Sequence, residues 1–171
     1  MTIIIRKAKP GDEIGIAEMR KEGLKRKNWN YTGSNDIPDK KKLAKWRKSF
    51  SDKNAEGFSF VARDTKQHKI IGSIGSSFKK KGRLRHRIDM GWGIHPDYYG
   101  KGIGTKLLKE SLKFAKEKGF KRAEAEAAIE NIASVKLAKK CGFKIEGTKE
   151  KGLLLDNGKY VNTYIFGKIL K

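Results

Sequence analysis

Cysteine is almost missing: Cys141 stands alone in 171 residues, so no disulfide forms within the chain and an oxidising compartment is not implied. Its position just before Gly142-Phe143 reads as a small buried residue rather than a nucleophile. Long apolar runs are missing too. Ile3-Ile4-Ile5 and Leu153-Leu154-Leu155 are far shorter than a membrane span or the core of a secretory signal, and the cytoplasm is the expected compartment. No internal repeat, low-complexity linker or change of composition divides the chain, so residues 1–171 are expected to form one domain with one core. Acid is scarce relative to base, with 19 Asp and Glu against 41 Lys and Arg and a net charge of +22. Such a charge favours nucleic acids, anionic membranes and acidic ligands, and says nothing about fold.

What is present alternates strands with helices. Thr2 to Lys7 reads as a strand, and Pro10-Gly11-Asp12-Glu13 opens a helix running to about Lys27. After a polar loop with Trp29 and Tyr31, a second helix starts over Asp36 to Pro38, with Leu43, Trp46 and Phe50 on one side. Strands follow at Phe58 to Arg63, at Ile70 to Phe78 and, beyond the basic hairpin Lys79 to Arg83, at Leu84 to Ile94. Six Lys or Arg between 79 and 87 read as a solvated hairpin tip or a polyanion contact. A helix from Ile103 to the capping Gly119 buries Ile103, Leu107, Leu108, Ser111, Leu112 and Ala115. Lys121 to Ala127 is a strand, Asn131 opens a helix, and Phe143 to Lys149 with Tyr160 to Lys168 close a hairpin through Asn157-Gly158. This order indicates an α/β (α+β) domain with one central sheet. Gly91 and Gly93 inside a strand predict a bulge or a close backbone approach by a ligand.

The chain is organised around Ile94-His95-Pro96 and the turn Gly100-Lys101-Gly102-Ile103-Gly104-Thr105, which joins an apolar strand to a helix. The first backbone N–H groups of a helix lack partners and carry partial positive charge, and glycines let a pyrophosphate come close to them. No window fits the P-loop spacing G-x-x-x-x-G-K-[ST], and G-x-G-x-x-G fails because its third glycine falls on Thr105 or Leu107. Downstream stands Asn131-Ile132-Ala133-Ser134-Val135-Lys136-Leu137-Ala138-Lys139-Lys140-Cys141-Gly142-Phe143.

In these two blocks the sequence resembles the GCN5-related N-acetyltransferases (GNATs), whose acetyl-CoA loop reads [Q/R]-x-x-G-x-[G/A] and whose second block reads N-x-x-[A/S]-x-x-[L/V]-x-x-K-x-G-F. Tyr99 departs from the Gln or Arg preferred there. The resemblance implies a mostly antiparallel mixed sheet with a splayed parallel pair, flanked by helices. It implies acetyl-CoA as cosubstrate, no metal, and acetyl transfer to a primary amine, on a small compound or a protein N-terminus, by direct attack on the thioester. Gly93, Ile94, His95, Tyr99 and the loop from Gly100 to Thr105 are then expected to hold the cofactor, with the Ile94 N–H as an oxyanion donor. Asn131 and Ser134 would face the pantetheine, and Lys140 the nucleotide phosphates.

An amine attacks only when neutral, so a base is needed. By motif position Glu126 is the first candidate and Asp89 the second. Ala138 replaces the tyrosine that many members use as general acid, leaving Ser134 to donate a proton or bind the sulfur. Ser134 resembles the serine of the branch with ribosomal-protein alanine and polyamine acetyltransferases. Trp29 and Tyr31 are candidates for acceptor contact. The expected partners are acetyl-CoA, an amine acceptor and, on charge, an anionic or nucleic-acid-associated partner, with a homodimer left open. A polyamine acceptor is disfavoured by the net charge, and a basic nucleic-acid- or ribonucleoprotein-binding module on the same scaffold is the alternative function.

Overall fold

The computed structural model describes residues 2–26, 33 and 36–171. In chain order the elements are β1 (Ile3–Lys7), α1 (Asp12–Leu24), α2 (Lys40–Ser51), β2 (Ser59–Asp64), β3 (Lys69–Phe78), β4 (Arg87–Ile94), a 3-10 turn (Pro96–Tyr98), α3 (Ile103–Glu117), β5 (Arg122–Ala128), α4 (Ile132–Lys140), β6 (Lys144–Leu154) and β7 (Tyr160–Ile169). The strands form one sheet in the order β1-β2-β3-β4-β5-β7-β6, antiparallel except for the β4–β5 pair.

Helices cover both faces. The apolar stripe of α3 read from its spacing is the buried one, and Leu107 and Leu108 pack without exposure against Ile71, Ile88 and Phe166 in the larger cluster. On the other face Ala8, Ile16, Val61 and Ile70 form a smaller cluster, with Trp46 and Phe50 of α2 against it. The α2 helix has no buried residue, and its Asp39 cap accepts from Lys42 N–H at 2.7 Å. That cap sets the start at Lys40, later than the expected Asp36 to Pro38, because a side-chain acceptor is what the first helical amides need.

Further boundaries differ from expectation. The strand expected from Leu84 begins at Arg87, because Arg85 N–H to Gly82 O (3.3 Å) and Arg87 N–H to Leu84 O (3.0 Å) fold the preceding residues into turns. The strand expected to stop at Lys149 continues to Leu154, its register shifting between Lys149 and Leu153 where Lys151 takes φ 49°. α1 stops at Leu24, short of the expected end near Lys27; Lys27, Trp29 and Tyr31 lie outside the described residues. No bulge occurs at Gly91 or Gly93, since β3 and β4 pair in unbroken register from Gly72↔Ile94 to Phe78↔Ile88. Gly91 faces open space, whereas Gly93 lies under Met19.

Candidate active site

The parallel pairing of β4 with β5 covers only Arg87↔Arg122, Ile88↔Ala123 and Asp89↔Glu124. Beyond Asp89, β4 continues along β3 to Ile94 while β5 continues along β7 to Ala128, so the two strands part in a V. His95 N–H bonds Ile71 O on the β3 side at 2.8 Å. Strand amides alternate in direction, so those of Trp92 and Ile94 point into the V, where an extended ligand could take the place of a strand.

At the mouth of the V, Gly100 and Gly102 adopt φ 75° and 73°, and a Cβ on either would meet no atom within 4 Å. Gly102 caps α3 without a side-chain bond. The first helical bond runs from Lys106 N–H to Gly102 O at 3.1 Å, which leaves the amides of Ile103, Gly104 and Thr105 without an acceptor inside the helix. Free amides at the positive end of a helix are groups that can receive an anion. Gly104 has a different reason to be glycine: a Cβ there would lie 3.1 Å from Leu137 Cδ2, so its absence lets α4 pack against α3.

On that same face Asn131 caps α4, its Oδ1 accepting from Ser134 N–H at 3.1 Å. Ser134 Oγ accepts from the Trp92 indole N–H at 3.3 Å across the V, and no acceptor for its own O–H is recorded among the described residues. Ala138 is fully buried. The Cys141 thiol is buried and its pKa is raised by desolvation, which suits a packing residue.

Through the sheet, on the α1 and α2 side, lies a groove of about 1190 Å³. Its floor includes Gly75 and Gly91, directly opposite each other, where an added Cβ would touch nothing within 4 Å. Asp89, Glu124 and Glu126 stand on the floor, and Arg20, Lys45 and Trp46 are on the wall. Met90 and Ala125 belong to the core of the opposite face yet also line the groove, so the two sides of the sheet meet at the V.

The carboxylates differ in their company. Glu124 bonds Arg122 Nε at 2.6 Å and Arg87 Nη2 at 3.0 Å. Glu126 bonds Lys149 Nζ at 2.6 Å and accepts from the Thr163 hydroxyl. Asp89 makes no side-chain hydrogen bond or salt bridge among the described residues, and desolvation followed by repulsion from Glu124 raises its pKa.

The family description "Acetyltransferase (GNAT) domain" matches residues 2–144. The chain belongs to this family. Among curated proteins it is similar to the L-amino acid N-acetyltransferase AaaT of Escherichia coli (strain K12), 27% identical over 101 residues, 58% of this chain and 62% of that protein; it thus spans less than two thirds of that relative. Among solved structures, a GNAT-family acetyltransferase from Streptococcus pneumoniae superposes with a TM-score of 0.83 at 25% identity, covering 99% of this chain and 100% of the other. A GNAT-superfamily phosphinothricin acetyltransferase from Sinorhizobium meliloti, in complex with AcCoA, superposes with a TM-score of 0.82 at 24% identity over 99% and 89% of the two chains. The mostly antiparallel mixed sheet with its splayed parallel pair is the GNAT fold expected from the motifs.

Within this GNAT fold, Ile94, Gly100, Gly102 to Thr105, Asn131 and Ser134 lie around the V. His95 and Lys101 turn elsewhere. His95 is buried edge-on to Tyr98 at 5.6 Å, its Nε2 without a partner among the described residues and its pKa lowered first by desolvation and then by Lys69. Lys101 donates to Asp97 O at 3.0 Å and lies 4.8 Å from the centre of the Tyr98 ring. Tyr99 and Lys140 are exposed. Gly93 faces Met19 on the groove side, where a Cβ would sit 3.6 Å from Met19 Cε. Sequence reasoning missed Gly75, Lys45 and Arg20. Gly75 was detectable as a glycine inside a strand, whereas nothing in the neighbouring sequence marks Arg20 or Lys45 among 41 Lys and Arg.

Proposed function

We propose that this chain is a single N-acetyltransferase domain that moves the acetyl group of acetyl-CoA to a primary amine, on a small amino compound or a protein N-terminus, by direct attack on the thioester. The observation that carries the reading is the continuity of a phosphate seat at α3, unpaired strand amides in the V and a groove across the sheet. The pyrophosphate sits on the amides of Ile103, Gly104 and Thr105, and the pantetheine lies along β4 as an added strand. Lys140 reaches the nucleotide end from α4. No metal takes part.

The acceptor enters from the groove. Its lone pair attacks the thioester carbon, the Ile94 amide stabilises the oxyanion, and collapse breaks the C–S bond. Asp89 takes the amine proton, directly or through water. Glu126, tied to Lys149 and Thr163, fixes the floor beside it. Ser134 stands on the opposite face, where the sulfur departs, and its O–H can hydrogen-bond the thiolate while Trp92 bonds its oxygen; the thiolate takes its proton from water, and Asp89 returns the amine proton to solvent. Ala138, where many family members carry a tyrosine, is buried and supplies no acid at that place.

A single reduced, buried cysteine suits the cytoplasm as the working compartment. The test is thiol release from acetyl-CoA across a panel of primary amines and peptide N-termini. Amine-dependent release is expected. A folded protein that binds nucleic acid with a steep salt slope and releases no thiol would point to the binding-module alternative.

A further inference from the structure

We propose that the acceptor is an amine that also carries a carboxylate, with Arg20 gripping the carboxylate while the amine reaches Asp89. This rests on the acetyl-transfer reading above. Arg20 projects from α1 into the groove wall, its guanidinium carbon 4.8 Å from the centre of the Trp46 ring. Two other arginines at the same end of the molecule have carboxylate partners: Arg6 pairs with Asp12 and Arg47 with Glu13, each at 2.6 Å. Arg20 has none, and makes no side-chain hydrogen bond among the described residues. A half-buried guanidinium held against an aromatic ring, its five donors in a fixed fork, is a ready site for a planar carboxylate.

Charge of both signs faces the groove from each side: Arg20, Lys45 and Lys48 with Asp52 and Glu56 on the α1 and α2 side, and Asp89, Glu124 and Glu126 with Lys149 on the strands. On the floor, Glu124 and Glu126 are engaged with Arg87, Arg122 and Lys149, so Asp89 is the floor carboxylate left to meet an ammonium. An amino carboxylate satisfies Arg20 and Asp89 at once. A polyamine would place a second cation against Arg20, and an amide or peptide N-terminus would leave Arg20 without an anion.

The test compares matched pairs, L-methionine with L-methioninamide and 4-aminobutyrate with butylamine. Each is titrated calorimetrically into the protein with CoA bound and then assayed for thiol release from acetyl-CoA. Wild type should favour the acid of at least one pair by about tenfold or more, the range expected for a charge-assisted hydrogen bond. Arg20→Gln should bring that ratio close to one while acetyl-CoA still binds, and Arg20→Lys should restore part of it. Equal handling of acid and uncharged analogue by wild type, an unchanged ratio in folded Arg20→Gln, or a preference for butane-1,4-diamine would overturn the proposal. Should Arg20→Gln not fold, the wild-type ratios decide. Binding needs no transfer, so an acid preference without thiol release would remove the acetyltransferase reading and leave the carboxylate site standing.

Discussion

The two sides of the V offer different kinds of group to a ligand. At the start of α3 they are backbone amides, fixed by two glycines in left-handed conformation and a helix end. In the groove across the sheet they are side chains, brought together from α1, α2, β4 and β5. A site made of backbone tolerates many side-chain changes and fails only when something occupies or repels its ligand. A site made of side chains changes character with one substitution. The cofactor side should therefore be hard to retune, and the acceptor side easy.

The largest effect that sharpens this contrast is expected at Asp89. Asp89→Asn should lower amine-dependent thiol release by about 10²-fold or more, in the range of general-base catalysis, and leave acetyl-CoA affinity unchanged. Glu126→Gln, whose carboxylate is held by Lys149 and Thr163, should cost less. Because the base form is the active one and the Asp89 pKa is raised, the rate should climb with pH through a midpoint above the ordinary carboxylate value. Asp89→Asn should erase that acid limb, and a limb that persists would assign it to another group.

A smaller effect is expected from filling the floor. Gly91→Val adds atoms where a Cβ meets nothing, so acceptor KM should rise about tenfold while the acetyl-CoA Kd stays the same. Equal losses in both constants would mean that the two sides do not separate at β4.

The smallest effect is on stability. A carboxyl whose pKa is raised by folding contributes stability below its unfolded pKa and loses it as pH rises through the folded one. Asp89 is exposed, so solvent screens most of this effect and its ionisation lowers stability only slightly near neutrality. Asp89→Asn should melt slightly higher than wild type at pH 7, the gap closing in acid; a lower Tm at pH 7 would contradict the environment described for Asp89.

The same contrast explains what was legible in the sequence. The proposed phosphate seat is contiguous, so the glycine turn from Gly100 and the helix start it leads into were legible together, and Asn131 to Phe143 carried the helix that packs beside it. The stripe of α3 was legible because burial follows a period of 3.6 residues. The groove is not contiguous. Arg20 and Asp89 lie on different elements, and Arg20 differs from its neighbours only in lacking a carboxylate, a property that exists only once the chain is folded. Gly91 and Gly93 were visible, but a period-two pattern does not say whether a glycine bulges a strand or lets a ligand approach its backbone; the unbroken register with β3 removes the bulge. The expected end of β6 failed for a related reason, since a register shift lets a strand resume beyond a residue with positive φ.

The central claim is that the first turn of α3 seats the acetyl-CoA pyrophosphate, and Thr105→Glu tests it most directly. An acid in the first turn favours the helix, so the variant should fold with an unchanged or higher Tm, yet its carboxylate would face the phosphates. Calorimetric titration of acetyl-CoA should give saturable binding to wild type and a loss of about tenfold or more in Thr105→Glu. No binding to folded wild type, or equal binding to both proteins, would contradict the account.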